Sequence, residues 1–417
     1  MQLCARRLAL VTAFVTLAWL PLAARQAPAP ALPPAPNLQQ VLPFDAAVRT
    51  GTLPNGLKYY VRKNTRPANR VVLRLAVKTG SLDEADDQQG LAHVLEHMAF
   101  NGSEHFKPGE LISYFESTGA RLGPHVNAQT GFEDTIYMLD LPTDKPEIVQ
   151  KGLTAFSDFA GGLTLDPAEI DKERGVVIEE WRGGLGAGSR IRDKQIPVLF
   201  YHSRYADRLP IGKPEVLKAF PPARLRAFYD TFYRPSNMAV VAVGDLDEQK
   251  LEDMIKAAFG GLKARGSAPP ARNVTVPLHE ETLVSVVTDP EITQSSVSLI
   301  RKRPRGSSDK VGDYRRQLVE RFFEQMLNDR LDEIARRSDA TFLAAGMGDG
   351  GLSKDVGTVS LDANVQSGKI AEGLVSVALE AKRAREFGFS AAELDRAKKW
   401  WAAYYDRAYN ERDKTES

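Results

Sequence analysis

The segment "GLAHVLEHMAF" (residues 90–100) carries two histidines four apart, with a glutamate just before the second. On an α-helix, residues i and i+4 share a face, so His93 and His97 can direct both imidazoles to one point. Glu96, three residues after His93, sits beside that point, where its carboxylate can reach a water bound to a metal. Two neutral imidazoles hold zinc and one nearby carboxylate acts as base, the same chemistry as His-Glu-x-x-His with the order reversed. An amphipathic helix with two surface histidines fits these five residues equally well. What surrounds them has to decide.

A catalytic zinc needs a third protein ligand and an open fourth position for water. The only cysteine, Cys4, precedes an apolar run near the N-terminus, so a chain processed after that run holds no thiol. Disulfides, thiolate ligation and a cysteine nucleophile are then excluded, and a metal site must be built from histidine and carboxylate. Downstream, "DKERGVVIEEWR" (171–182) places Glu173 and Glu180 seven apart, two helical turns, on one helix face. Spacing alone allows either as the ligand. His202 and His279 have no partners at ligand spacing, His105 falls in a loop after the helix and His125 just before the strand-like stretch 126–141; all four read as ordinary surface histidines.

Several elements must position these groups. "TGTLPNGLKYYVRKN" reads as two strands about an Asn55-Gly56 turn, with the folded part starting near Val48. "RVVLRLAVKTGS" (70–81) is a buried strand by its apolar content. Leu91, Val94, Leu95 and Met98 give the histidine segment helical spacing. Further helices are expected over 109–119, 145–161 and 167–182. "VNAQTGFEDTIYMLDL" (126–141) alternates as strands do, and "MAVVAVGDL" (238–246) is another apolar strand.

The 417 residues, 43% hydrophobic and 26% charged, are ordinary globular composition and suggest two or three domains. Basic and acidic residues nearly cancel, 55 against 54, so no net field favours nucleic acid or an anionic membrane. Arg6 and Arg7, the apolar run 8–24 and the small residues Ala23 and Ala24 make a secretory signal peptide over 1–24. The run is short for a span and Pro21 interrupts it, so no stable membrane span is expected after cleavage. A Pro/Ala-rich linker follows over 25–44, too poor in large apolar groups to pack.

A second linker, 263–280, separates a first domain (45–262) from a second (281–417). "LDPAEIDKERGVVIEEW" (165–181) resembles "FSAAELDRAKKWWAAYY" (389–405), each after an apolar helix, which points to two α+β domains from a duplication. In that register Glu173 falls opposite Ala397 and Glu180 opposite Tyr404, so the second copy carries no metal ligands. The helical run reaching the last residues, with no glycine stop and no returning strand, reads as a second domain cut before it closes.

The stretches "LPNGLKYYV", "TGSLDE", "GLAHVLEHMAFNGSEHF", "YFESTGARLGPHVNAQTGFEDTIYMLDLP", "ERGVVIEEWR", "RLPIG" and "FYRPSNMAVVAVGD" together resemble the pitrilysin/insulinase family of zinc metallopeptidases, the inverzincins. The likeness covers nearly all of 45–417 and is greatest to the N-terminal half of long bacterial envelope members. It implies an α+β fold of two homologous α/β-roll domains, mixed or antiparallel sheets with helices packed on them, forming one half of a clamshell. Residue by residue it implies one Zn2+ held by His93, His97 and Glu180, with Glu96 as general base and Glu173 supporting the site. Glu179 falls on the wrong face for a helix that also presents Glu173. Asn127 and Ala128 would contact substrate along an edge strand, and Phe100 would line the pocket beside the metal.

The implied reaction is hydrolysis of extended or unfolded peptides. Bound zinc lowers the pKa of its water to about 7, and Glu96 takes the proton. No organic cofactor is needed, and no nucleic-acid partner is expected. Implied partners are a peptide substrate and a C-terminal half or homologous partner chain closing the chamber; the implied location is the periplasm. Two competing readings are a catalytically silent structural subunit and a peptide-binding transport component.

Overall fold

In the computed structural model, residues 35–269 and 271–414 are described. The expected signal peptide and the first part of the Pro/Ala linker lie outside them. The first unit is built on strands β1 (Arg49–Thr52), β2 (Lys58–Lys63), β3 (Arg70–Val77), β4 (Val126–Thr130), β5 (Thr135–Pro142) and β6 (Met238–Gly244). Their order in the sheet is β1-β2-β6-β3-β5-β4, with β2 and β6 parallel and every other pair antiparallel. The apolar run of β6, distant in sequence, fills the middle of the sheet.

Alternation sets which face is covered. In β3 Val71, Leu73, Leu75 and Val77 are fully buried while the residues between them are half-buried. On the covered face lies helix α3 (Pro146–Gly161), following α1 (Leu91–Met98) and α2 (Glu110–Ser117) in the chain. Its Val149, Leu153, Phe156 and Phe159 join the core of the first unit. A Cβ on Gly152 would stand 2.6 Å from Leu141 Cδ1, so glycine allows α3 to approach this closely. Helices α4 (Pro167–Gly183), α5 (Ala187–Leu199), α6 (Pro214–Ala219), α7 (Pro222–Phe232) and α8 (Glu248–Phe259) complete the unit.

The second unit has strands β7 (Ser295–Pro304), β8 (Phe342–Gly351) and β9 (Val356–Val365) and helices α9 (Val311–Ala335), α10 (Ile370–Phe387) and α11 (Ala391–Glu411). Its antiparallel order β7-β9-β8 repeats β3-β5-β4 of the first. The repeat extends to helix starts: Asp166 caps α4 by accepting Ala168 N–H, and Ser390, opposite it in the duplicated register, caps α11 by accepting Glu393 N–H. Ala397, opposite Glu173, is buried.

The segment expected as an unpacked linker differs at its C-terminal end. Leu38, Val41 and Phe44 are exposed, consistent with composition. Yet the backbone there is tied to the second unit: Leu42 N–H donates to Asp309 O at 2.7 Å, and Leu38 O accepts Gly312 N–H at 2.9 Å. Backbone pairing requires no apolar side chain, so composition did not reveal it. The second linker packs too, with Val276 buried beside Leu82, Ile196, Phe200 and Tyr205.

Candidate metal centre

Helix α1 presents Leu91, Val94, Leu95 and Met98, all fully buried, to the core. Gly90 starts it at φ +104°, and a Cβ there would stand 3.1 Å from Gly212 Cα, the glycine of "RLPIG". Two glycines in left-handed backbone thus let the loop after α5 press on the first turn of α1. A buried carboxylate completes the cap: Glu84 accepts Gly90 N–H at 3.0 Å and Ala92 N–H at 2.8 Å. Burial pushes the Glu84 carboxyl up to about 8, against the lowering pull of those two amides.

The opposite face of α1 meets α4. His93 Nε2 and His97 Nε2 are 3.2 Å apart, and Glu180 Oε2 is 3.6 Å from the first and 3.5 Å from the second. A tetrahedral ion with bonds of about 2.0–2.1 Å holds its ligand atoms about 3.3–3.4 Å apart. The three donor atoms therefore already form one face of such a tetrahedron, and two imidazoles with one carboxylate are a nitrogen and oxygen donor set that zinc accepts. The Glu180 side chain is half exposed, so solvent reaches this cluster.

The two histidines sit in different electrostatic surroundings. Burial, reinforced by the His97 charge, pulls His93 down to about 4, so its ring is neutral near pH 7. Its Nδ1 is buried without a protein partner among the described residues. Burial also lowers His97, but the hydrogen bond and charge of Glu173 outweigh it and the net direction is upward. Glu173 Oε1 lies 2.7 Å from His97 Nδ1, which fixes the proton there and turns Nε2 toward His93 and Glu180. Asn101 Nδ2 donates to Glu173 Oε2 at 2.7 Å and to His97 O at 3.3 Å. Glu96 is buried, which raises its carboxyl, while Thr130 Oγ1 donates to its Oε2 at 2.5 Å and opposes that rise.

Of the residues singled out from sequence, His93, His97 and Glu180 converge, with Glu173 behind His97 and Glu96 on the adjoining side of α1. Glu179 points elsewhere and pairs with Arg182. Asn127 and Ala128 lie on β4, whose only sheet neighbour among the described residues is β5, and Asn127 Oδ1 accepts Ala128 N–H at 2.9 Å. Phe100 is half-buried with its ring 5.3 Å from that of Phe159 and 6.4 Å from Tyr137, so it sits on the core. His105 is not a bare surface histidine: its Nδ1 is 2.8 Å from buried Asp158 Oδ1, which pins the loop after α1 to α3.

Sequence reading missed Asn101, Thr130 and Glu84. Asn101 is four residues after His97, so helical spacing could have found it. Thr130 and Glu84 act through contacts that no local pattern encodes.

Comparison with known proteins fits this geometry. Residues 59–184 match the family described as Insulinase (Peptidase family M16), and residues 219–399 match the Peptidase M16 inactive domain. The chain belongs to the insulinase family, peptidase family M16. All of His93, Glu96, His97, Glu173 and Glu180 fall in the first match.

Among its relatives, the "Zinc protease PQQL-like" of Arabidopsis thaliana is 36% identical over 88% of this chain and 36% of its own length. The "Probable zinc protease PqqL" of Escherichia coli strain K12 is 31% identical over 86% of this chain and 38% of its own. The chain thus spans less than two fifths of these curated relatives. The crystal structure of the periplasmic protease PqqL from Escherichia coli superposes with a TM-score of 0.85 at 30% identity, covering 90% of this chain and 42% of that one. The structure of the first half of that protease gives 0.84, covering 90% and 80%.

Proposed function

We propose that this chain is the metal-bearing half of a zinc-dependent endopeptidase that cleaves extended or unfolded peptides. The observation carrying the reading is the spacing of His93 Nε2, His97 Nε2 and Glu180 Oε2 at 3.2–3.6 Å, with the Glu180 side chain half exposed. Residues 45–262 are read as the catalytic unit and 281–417 as its metal-free counterpart.

His93, His97 and Glu180 would hold a zinc ion, which would supply an activated water and polarise the scissile carbonyl. Everything else falls to the chain. Glu96, buried and beside the donor set, accepts the proton of the attacking water and passes it to the leaving amine. Glu173 and Asn101 keep the His97 proton on Nδ1. The free edge of β4 takes an extended peptide by main-chain hydrogen bonds, which read conformation more than side chains. No helix among the described residues is long and apolar enough to cross a membrane. With a periplasmic protease among the similar structures, the periplasm is the proposed location.

Because the chain covers under two fifths of its curated relatives, full turnover is expected to need a second half, covalent or separate, to close the chamber. The test is zinc stoichiometry with cleavage of a quenched peptide, with and without chelator. One zinc per chain and chelator-sensitive cleavage support the reading. Zinc binding without cleavage, even in the whole natural chain, favours a silent subunit. Tight peptide binding that persists after chelation without turnover favours a transport component.

A further inference from the structure

We propose that Thr130 is a positioning residue that transmits the docking of a peptide on β4 to the orientation of Glu96. This rests on the peptidase reading above and extends it to a residue on a different element. Glu96 is buried, and among the described residues the one hydrogen bond to its carboxylate comes from Thr130 Oγ1, at 2.5 Å. The direction of that bond follows from its neighbours. Thr135 Oγ1, 3.5 Å from Thr130 Oγ1, spends its own proton on Thr79 O at 3.0 Å. A carboxylate can only accept, so the Thr130 proton goes to Glu96 Oε2. One carboxylate oxygen is thereby held, and Oε1 is left to take the proton of the attacking water.

Thr130 is also the last residue of the exposed strand edge. Among the described residues β4 pairs with β5 alone, apart from a single bridge from Val126 to Leu122, and from Asn127 onward no strand pairs with its outer edge. Side chains alternate along a strand, so Ala128 and Thr130 share a face, and β4 packs against α1. Five residues thus carry both the peptide-binding edge and the grip on the base. A peptide that adds to the edge restrains β4, and through Thr130 it restrains the Glu96 carboxylate. Reacting groups held in one geometry lower the barrier without new chemistry.

The experiment compares Thr130→Val, which keeps shape and removes the hydroxyl, with Thr130→Ser, which keeps the hydroxyl. It uses the whole natural chain. The Val variant should lower kcat for an extended peptide by about 10–100-fold while leaving KM within about twofold; Ser should restore most of the loss. In wild type, lengthening the peptide along β4 should raise kcat, and the Val variant should flatten that dependence. A readout without turnover is a double-mutant cycle on the urea midpoint. Thr130→Val should lower the midpoint in wild type more than in a Glu96→Ala background.

Wild-type kcat in the Val variant, a Ser variant as poor as Val, a loss confined to KM, an unchanged length dependence or equal midpoint shifts in both backgrounds would each overturn the proposal. Wild-type protein without chelator-sensitive cleavage would overturn the peptidase reading instead. The two failures are distinguishable because the midpoint cycle decides the Thr130–Glu96 contact on its own.

Discussion

Glu173 Oε1 stands 2.7 Å from Nδ1 of His97, and the two residues come from helices 76 positions apart in the chain. The contact settles which imidazole nitrogen carries the proton, and so which one faces His93 and Glu180. Replacing Glu173 with Ala should leave the fold intact and weaken zinc affinity by about 10–100-fold, the usual cost of losing such support. A competition titration against a chelator of known affinity measures it. Unchanged affinity would remove Glu173 from this role.

Glu96 should separate binding from chemistry. Glu96→Gln is expected to keep one zinc per chain and to lose peptide cleavage by at least about 10²-fold. Metal analysis and a quenched-peptide assay on the same preparation check both halves. Full activity in that variant would exclude Glu96 as the base.

Metal removal should be visible as lost stability. An ion that binds only the folded state adds about 2.7 kcal/mol when its free concentration is a hundredfold above Kd. Chelator is therefore expected to lower Tm of wild type and to leave His93→Ala unmoved. Equal shifts in the two proteins would mean the ion is held elsewhere.

The buried cap on α1 gives a pH dependence with a definite sign. Burial raises the Glu84 carboxyl from 4.5 to about 8. Between those values the folded state holds a proton that the unfolded state has released, so stability falls as pH rises, by at most about 1.4 kcal/mol per pH unit. The contribution is fully present below pH 4.5 and is lost as pH passes 8. Measured as Tm, the advantage of wild type over Glu84→Gln should be largest near pH 5 and narrow toward pH 8. A gap that stays constant would show that Glu84 titrates normally.

The contact between Gly212 and Gly90 predicts an intolerant position far from the metal in sequence. A Cβ at Gly212 would stand 2.4 Å from Gly90 Cα, in backbone at φ +78°. Gly212→Ala should destabilise by about 1–3 kcal/mol, as overpacking does, and disturb the start of the metal helix. Urea unfolding and zinc affinity measured together check this; a neutral result in both would disprove the role assigned to the glycine pair.

Local pattern alone determined a good part of this protein. Apolar content located β3, period-two alternation located β4 and β5, helical spacing located α1, and the helices expected over 145–161 and 167–182 lie within a residue of α3 and α4. The four-residue interval put His93 and His97 on one face because that relation is intrinsic to a helix turn. The repeat between α4 and α11 was legible as likeness of residues 165–181 to 389–405, while the matching caps at Asp166 and Ser390 emerged only in the structure.

Tertiary structure decided what local periodicity leaves open. Glu173 and Glu180 share a face of α4, and spacing treats them alike. Only the crossing of α4 over α1 sets one against His97 Nδ1 and the other between the two Nε2 atoms. Thr130 on Glu96, Glu84 beneath α1, and the backbone of 38–42 on the second unit were equally invisible. Each depends on where distant segments meet in space, which helix and strand periods do not specify.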